Sequence, residues 1–320
     1  MSVTICLTGG LGNQLFQYFA GLSLARKRNT DLIVHSKIGR PRSSDGLADL
    51  LAFNLNAVVD ERRMSKSSRI QGKAFNHLIT SSLDEAKTRK TELLKYSTHL
   101  MSMSLLKAYF RDFSINNVIS AQDLGFIDLN QVRDNSLIIG YFQSYQYYRA
   151  LTPSDQILCL REQLVDRNTR DDFNIATQVN PLIVHRRLSD YRKEKDFGIP
   201  NASCFHAPIR ALWSSGRFGE IWAFTDETEF EMQCIPSAFH RNVRVFSRSN
   251  RHPAVTIKLM SQGKAFVISN SSFSYWAAMF SKNLDAKVEV YAPSIWFKNG
   301  KSPKDLICPD WELYETTFEN

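Results

Sequence analysis

Seven short apolar runs, rich in β-branched and aromatic residues, recur along this chain, and their spacing limits the fold more than any other feature. They are "SVTICL" at 2–7, "DLIVH" at 31–35, "PLIVH" at 181–185, "EIWAFTD" at 220–226, "VRVFS" at 243–247, "KAFVIS" at 264–269 and "KVEVYAP" at 287–293. Each reads as a buried strand, and helix-like or loop segments separate them. Strand, Gly-rich turn, helix and strand at the start make a βαβ unit with a parallel sheet. "SLIIGYFQSYQYYRA" opens with a further strand and passes into an aromatic helix start. Residues 36–135 are more polar and read as helical. The runs fall on either side of a polar stretch near 150–180. The expected class is therefore α/β, with two Rossmann-like domains facing a cleft, one over 1–165 and one over 166–320.

The chain can fill two such cores: it has 320 residues, 43 % of them hydrophobic. Lys and Arg number 40 against 32 Asp and Glu, a formal charge of +8. That surplus suits anionic partners such as sugar nucleotides, diphosphate lipids or a membrane surface. No Lys/Arg block occurs, which argues against nucleic acid. Five cysteines, Cys6, Cys159, Cys204, Cys234 and Cys308, form no Cys-x-x-Cys and make an odd count. They fit neither a disulfide framework nor a zinc cluster, and they suit a reducing compartment. "MSVTICLTGG" has no secretory pattern, and no apolar run reaches the length of a membrane span. A cytoplasmic protein is expected, with peripheral contact at the inner membrane as a further expectation.

In open parallel sheets, ligands bind beyond the carboxyl ends of the strands. The residues just after each run are therefore informative. "GGLGNQ" comes after the first, with Gly9, Gly10, Gly12, Asn13 and Gln14. Asn13 is the expected N-cap of the helix. The third glycine of a dinucleotide fingerprint would fall on Leu15, so a nicotinamide enzyme fits poorly. A tight glycine turn is the plain structural reading, and amides at a helix start the functional one. "HRRLSDYR" gathers His185, Arg186, Arg187, Asp190 and Arg192. Arg187 can fork onto a diphosphate, whereas the plain reading is a solvated salt-bridge cluster. "SNSSFS" brings Ser269, Asn270, Ser271, Ser272 and Ser274 to a helix start, more polar groups than capping requires. "TDE" supplies Asp226 and Glu227, either a base or carboxylates complementing a helix dipole. No His-x-x-x-His, Asp-x-Asp, Gly-x-Ser-x-Gly or Walker P-loop is present, so no metal site is expected.

Taken in order, "GGLGNQLFQYFAG", "GYFQSYQYYR", "HRRLSDYR", "FTDE", "ISNSSFSYWAAMFSKN" and "APSIWF" resemble glycosyltransferase family 11, the α-1,2-fucosyltransferases, from residue 5 to about 297. The resemblance is to bacterial members that decorate O-antigen or capsule repeats. It implies a GT-B-like fold and inverting transfer of L-fucose from GDP-β-L-fucose to O2 of a β-galactoside. The donor is the only small molecule implied; no metal or other cofactor is. The implied acceptor is carried on a polyprenyl diphosphate. The motif His-x-Arg-Arg-x-Asp maps onto His185, Arg187 and Asp190, and its first arginine holds the diphosphate. Leu188 stands where the second arginine would be, and Ser189 where the motif's glycine would be. The resemblance places Gly10, Gly12, Asn13, His185, Arg187, Ser271, Ser272 and Phe273 at the donor. It leaves Arg187, Asp190 and Asp226 as catalytic candidates. Two other readings stand beside it: a nicotinamide-dependent oxidoreductase built on the Gly-rich turn, and a non-catalytic glycan-binding protein.

Overall fold

The computed structural model describes residues 2–35, 49–60, 117–120, 124–130, 132, 135–192, 197–227, 229–230, 232–247, 251–300 and 302–319. The chain forms two compact units. One comprises Met1–Leu158 and Pro303–Leu306; the other comprises Cys159–Ser302 and Ile307–Asn320. The division thus falls at 158/159 rather than at the expected 165/166, and the first unit is not continuous in sequence. Its late segment is bound by main-chain pairing: the Phe126 amide donates to the Lys304 carbonyl at 3.1 Å and the Tyr145 amide to the Asp305 carbonyl at 3.0 Å.

In the first unit, the strands are β1 (Ser2–Cys6), β2 (Asp31–His35), β3 (Phe53–Asn54), β4 (Val58–Asp60), β5 (Asn117–Ser120) and β6 (Ser136–Ile139). Among the described residues, five of them form a parallel sheet in the order β4-β2-β1-β6-β5. Val3 lies beside Leu32 on one side and beside Ser136 on the other. Helix α1 (Leu11–Lys27) crosses from β1 to β2. Its apolar residues surround it rather than forming one stripe, so Leu15, Phe16, Phe19 and Leu22 are all buried. Close packing on the sheet comes from Gly21, where a Cβ would approach Ile5 Cγ2 to 2.5 Å. Two short helices follow β6: α2 (Tyr145–Arg149), capped by the Ser144 hydroxyl, and α3 (Pro153–Gln156), capped by the Thr152 hydroxyl. Most of the helical reading of 36–135 lies outside the described residues.

The second unit opens with the short strand β7 (Cys159–Leu160) and helix α4 (Arg167–Val179). The remaining strands are β8 (Leu182–Arg186), β9 (Ile221–Thr225), β10 (Val243–Phe246), β11 (Ala265–Ile268), β12 (Glu289–Pro293) and β13 (Glu312–Tyr314). They form one parallel sheet in the order β10-β9-β8-β11-β12-β13. This is the doubly wound order, with the winding reversing between β8 and β11. Helices α5 (His206–Trp213), α6 (Pro253–Met260) and α7 (Ser272–Leu284) connect the strands. β8, β9 and β11 are buried throughout, as parallel strands covered on both faces must be. β10 departs from expectation. It lies at the sheet edge, with Val245 44 % exposed, because it has a partner on one side only.

Candidate active site

The second unit carries the charged cluster. β8 ends at Arg186 and β11 at Ile268, so the residues just beyond them stand where the sheet reverses its winding. In doubly wound sheets, that point opens the ligand crevice. The structure brings His185, Arg187, Asp190, Asp226, Ser269 and Ser271 together there.

Arg187 is the centre. Its Nε and Nη2 donate to the two oxygens of Asp190 at 2.8 and 3.0 Å, a bidentate fork. Nε also lies 3.1 Å from Asp226 Oδ2. The Arg187 amide donates to the Ser269 hydroxyl at 3.3 Å. Burial disfavours the guanidinium charge, but the two carboxylates outweigh it and hold the arginine charged. The pairs occupy Nε and Nη2; Nη1 takes no part in them.

The two aspartates differ. The Asp226 Oδ1 accepts from the Leu188 amide at 2.9 Å, and its carboxylate also takes the Ser189 hydroxyl. Burial raises its pKa, yet Arg187, the Ser189 hydroxyl and the Leu188 amide together hold it below the usual carboxylate range. Asp226 is thus an ionised anchor for the turn after β8, with little basicity at neutral pH. Asp190 is more exposed, its side chain at 36 % against 15 % for Asp226. Glu227 is engaged by Arg192, whose Nε donates to it at 3.0 Å.

His185, one residue before the end of β8, is buried. Burial pushes its imidazole down to about 4, Arg187 adds to this and Asp226 opposes it, so the ring is neutral at pH 7. It lies 3.4 Å from the Ser269 hydroxyl through Nδ1 and packs on Phe273 with centroids 6.0 Å apart. The serine cluster has separate tasks. Ser271 caps α7, its hydroxyl accepting from the Phe273 amide at 3.3 Å. Ser274 donates to the Ser271 carbonyl. Ser272 and Phe273 form the first turn of α7.

Leu188 is fully buried. An arginine there would need a carboxylate partner inside the core. The neighbouring Arg186 does point inward and is fully buried. It donates to the Pro200 carbonyl at 3.3 Å and pairs with Glu319. Sequence reading set Arg186 in the polar cluster after the run and gave it no role; the strand in fact runs on through Arg186, and a buried arginine demands a partner.

Gly10, Gly12 and Asn13 lie in the first unit. Gly10 (φ −76°, ψ 172°), not Asn13, is the N-cap, and α1 begins at Leu11. The residue that requires glycine is Gly9, at φ +73°, where a Cβ would come 2.8 Å from Asn13 Nδ2. Asn13 Oδ1 accepts from Gln143 Nε2 at 3.0 Å. Gln14 donates to the Gly9 carbonyl and accepts from the Leu50 amide. Gln17 donates to the Thr8 hydroxyl and the Gly140 carbonyl while accepting from the Thr8 amide. The polar groups of "GNQLFQ" are thus largely spent on the turn itself. Among the described residues, no three His, Cys, Asp or Glu side chains converge in a way that could hold a metal ion. No described helix is long and apolar enough to cross a membrane.

No family model matches this chain. The solved structures of fucosyltransferase NodZ from Bradyrhizobium (12 % identity, 87 % of this chain and 92 % of that one) and of POFUT1 in complex with GDP (12 %, 92 % and 99 %) both superpose with a TM-score of 0.49. An alpha-1,2-colitosyltransferase from Escherichia coli is 26 % identical, covering 97 % of this chain and 98 % of its own. The O-antigen biosynthesis glycosyltransferase WbnK, also from Escherichia coli, is 25 % identical over 96 % and 98 %. End-to-end likeness to two glycosyltransferases supports glycosyltransferase activity for this chain.

Proposed function

We propose that the chain is an inverting α-1,2-fucosyltransferase, moving L-fucose from GDP-β-L-fucose to O2 of a β-galactoside on a lipid-linked O-antigen or capsule repeat. One observation carries the reading. Arg187 stands at the winding reversal of the second sheet, aimed by two carboxylates, beside the Ser271-capped first turn of α7. A departing diphosphate needs such a guanidinium and such amides.

In this reading the diphosphate competes with Asp190 for the Arg187 fork. Asp190, the more exposed carboxylate, gives way, and Asp226 stays. Once released, Asp190 is the better placed of the two to take the acceptor proton, because Asp226 remains tied to Arg187 and the Ser189 hydroxyl. The acceptor O2 displaces GDP at the anomeric carbon, with the leaving charge taken by Arg187 and amide donors. No metal enters the scheme, and His185 serves as a neutral hydrogen-bonding group. The +8 net charge favours approach to an anionic lipid surface.

The colitosyltransferase relative favours a second reading of the donor. Colitose is L-fucose without its 3-hydroxyl, so the two donors differ by one hydrogen-bonding group. GDP release from GDP-L-fucose and from GDP-L-colitose, with lactose or Gal-β1,3-GalNAc as acceptor and EDTA present, separates them. Acceptor-dependent release from GDP-L-fucose is expected. Release from GDP-L-colitose alone would transfer the assignment to that sugar, and release only on adding a divalent cation would remove the metal-independent scheme.

A further inference from the structure

Asn270, between β11 and α7, is 1 % exposed. Its Nδ2 points at three main-chain carbonyls: Phe197 at 2.9 Å, Gly198 at 3.1 Å and Trp296 at 2.9 Å. An amide has two protons, so these acceptors share them. Its Oδ1 is buried and has no hydrogen-bond partner. The side chain is therefore used wholly as a donor, at the expense of its acceptor. Such a residue calls for an explanation beyond packing.

The surroundings supply one. The Asn270 carbonyl accepts from the Tyr191 hydroxyl at 2.8 Å, and Tyr191 lies on the turn that carries Arg187 and Asp190. Ser269, one residue before, receives the Arg187 amide. Ser271, one residue after, caps α7. Three stretches separated in sequence are thus bonded to one residue. The stretch at 197–198 is itself anchored. Gly198 has φ +67°, and a Cβ there would meet Phe318 Cδ1 at 2.6 Å. The Glu319 amide donates to the Ile199 carbonyl, and the Asn201 amide to the Thr317 carbonyl, both at 2.8 Å. Asn270 joins this anchored edge to the charged turn that carries Arg187.

We propose that Asn270 is a positioning residue, holding the Arg187 turn at a fixed separation from the first turn of α7 so that both meet one nucleotide diphosphate. The proposal rests on the donor-site reading above. It assigns Asn270 no contact with reacting atoms. Its effect falls on nucleotide binding and not on the acceptor.

The test is isothermal titration with GDP on the full chain, with melting temperature and steady-state kinetics alongside. Asn270→Ala is expected to weaken GDP binding by about tenfold or more and to leave the KM for lactose within about twofold. Asn270→Asp is expected to bind GDP worse still, because a carboxylate opposes three carbonyl oxygens, and to recover partly as the pH falls and the acid gains a proton. Tyr191→Phe removes one outer hydrogen bond without touching the core, and is expected to weaken GDP binding by about threefold. Unchanged GDP affinity in folded Asn270→Ala, or equal losses for GDP and lactose, would overturn the proposal. If Asn270→Ala does not fold, unchanged GDP affinity in Tyr191→Phe does the same. Failure of the wild-type chain to bind GDP would instead overturn the donor-site reading, and the positioning role with it.

Discussion

Each unit places a polar turn directly after the strand at which its sheet changes winding direction, yet the two turns have little in common. The turn after β1 is neutral. Its glutamines and asparagine bond to the chain around them: Gln14 to Gly9 and Leu50, Gln17 to Thr8 and Gly140, Asn13 to Gln143. The turn after β8 is charged, and its Arg187 guanidinium is shared between two carboxylates of unequal exposure. The first arrangement is largely closed, most of its side-chain donors and acceptors being matched among neighbouring groups, with Gln143 Oε1 the exception. In the proposed reading the second is exchangeable: an incoming anion replaces Asp190, and Asp226 keeps the arginine paired. Equivalent topology therefore does not make equivalent sites; the charge and the replaceable partner do.

Substitutions can break this contrast, the largest effect first. Arg187→Ala is expected to lower turnover by about a thousandfold, the scale of losing one transition-state donor group. Arg187→Lys should regain no more than about tenfold, because an ammonium cannot fork. Both are read as kcat and KM on GDP-L-fucose, with melting temperature as the fold control; near-normal turnover for Arg187→Ala would remove the charged turn from the chemistry.

Acidification comes next. His185 is held neutral with its pKa pushed down to about 4, below the value of an unfolded imidazole. Between about pH 6.5 and 4 the unfolded chain binds the extra proton and the folded one does not, so stability falls as the pH falls. The loss amounts to roughly 3 kcal/mol at most. Asp226, also held low, adds in the same direction but only below the ordinary carboxylate range. Urea unfolding at about pH 7.5 and about pH 5 should show the drop, and His185→Gln should flatten it. A His185→Gln curve as steep as wild type would place the titration elsewhere.

The neutral turn should respond in stability and not in nucleotide binding. Gln17→Ala removes partners of Thr8 and Gly140 and should lower unfolding free energy by about 2 kcal/mol. GDP affinity should stay within about twofold, and a larger change would make the first turn part of the donor site. Gly9→Ala, at positive φ, should lower stability by about 1 kcal/mol. Denaturant midpoints measure both.

Much of the fold was legible. All seven apolar runs became strands, and for β8, β9 and β11 the reason is that a parallel strand covered on two faces needs an unbroken apolar run; β10 is a strand at the exposed sheet edge. The order of the units' strands was not, since pairing is set by contacts across long separations. β13 was missed: "ELY" is three residues with a charged start and no apolar run. The N-cap of α1 was misread because Gly10 caps through its conformation, without the side-chain oxygen that makes a cap visible in sequence. The charged cluster was legible from Arg187 and Asp190 on one turn, three residues apart. Asp226 stood beside them as a candidate from its place after β9, but its ion pair with Arg187, and the inward turn of Arg186 to Glu319, were not legible, because neither partner lies near in sequence.

The return of Pro303–Leu306 to the first unit has a consequence for how this protein is made. The Phe126 and Tyr145 amides find their acceptors only in Lys304 and Asp305. Roughly 150 residues must leave the ribosome after residue 158 before those acceptors exist, a delay on the order of ten to thirty seconds at ordinary translation rates. Through that interval the first sheet can assemble around β1, but these two amides lack the acceptors they have in the finished chain. A nascent chain halted in the second unit would therefore hold an incomplete first one as well, and the two units mature together although they are begun in turn.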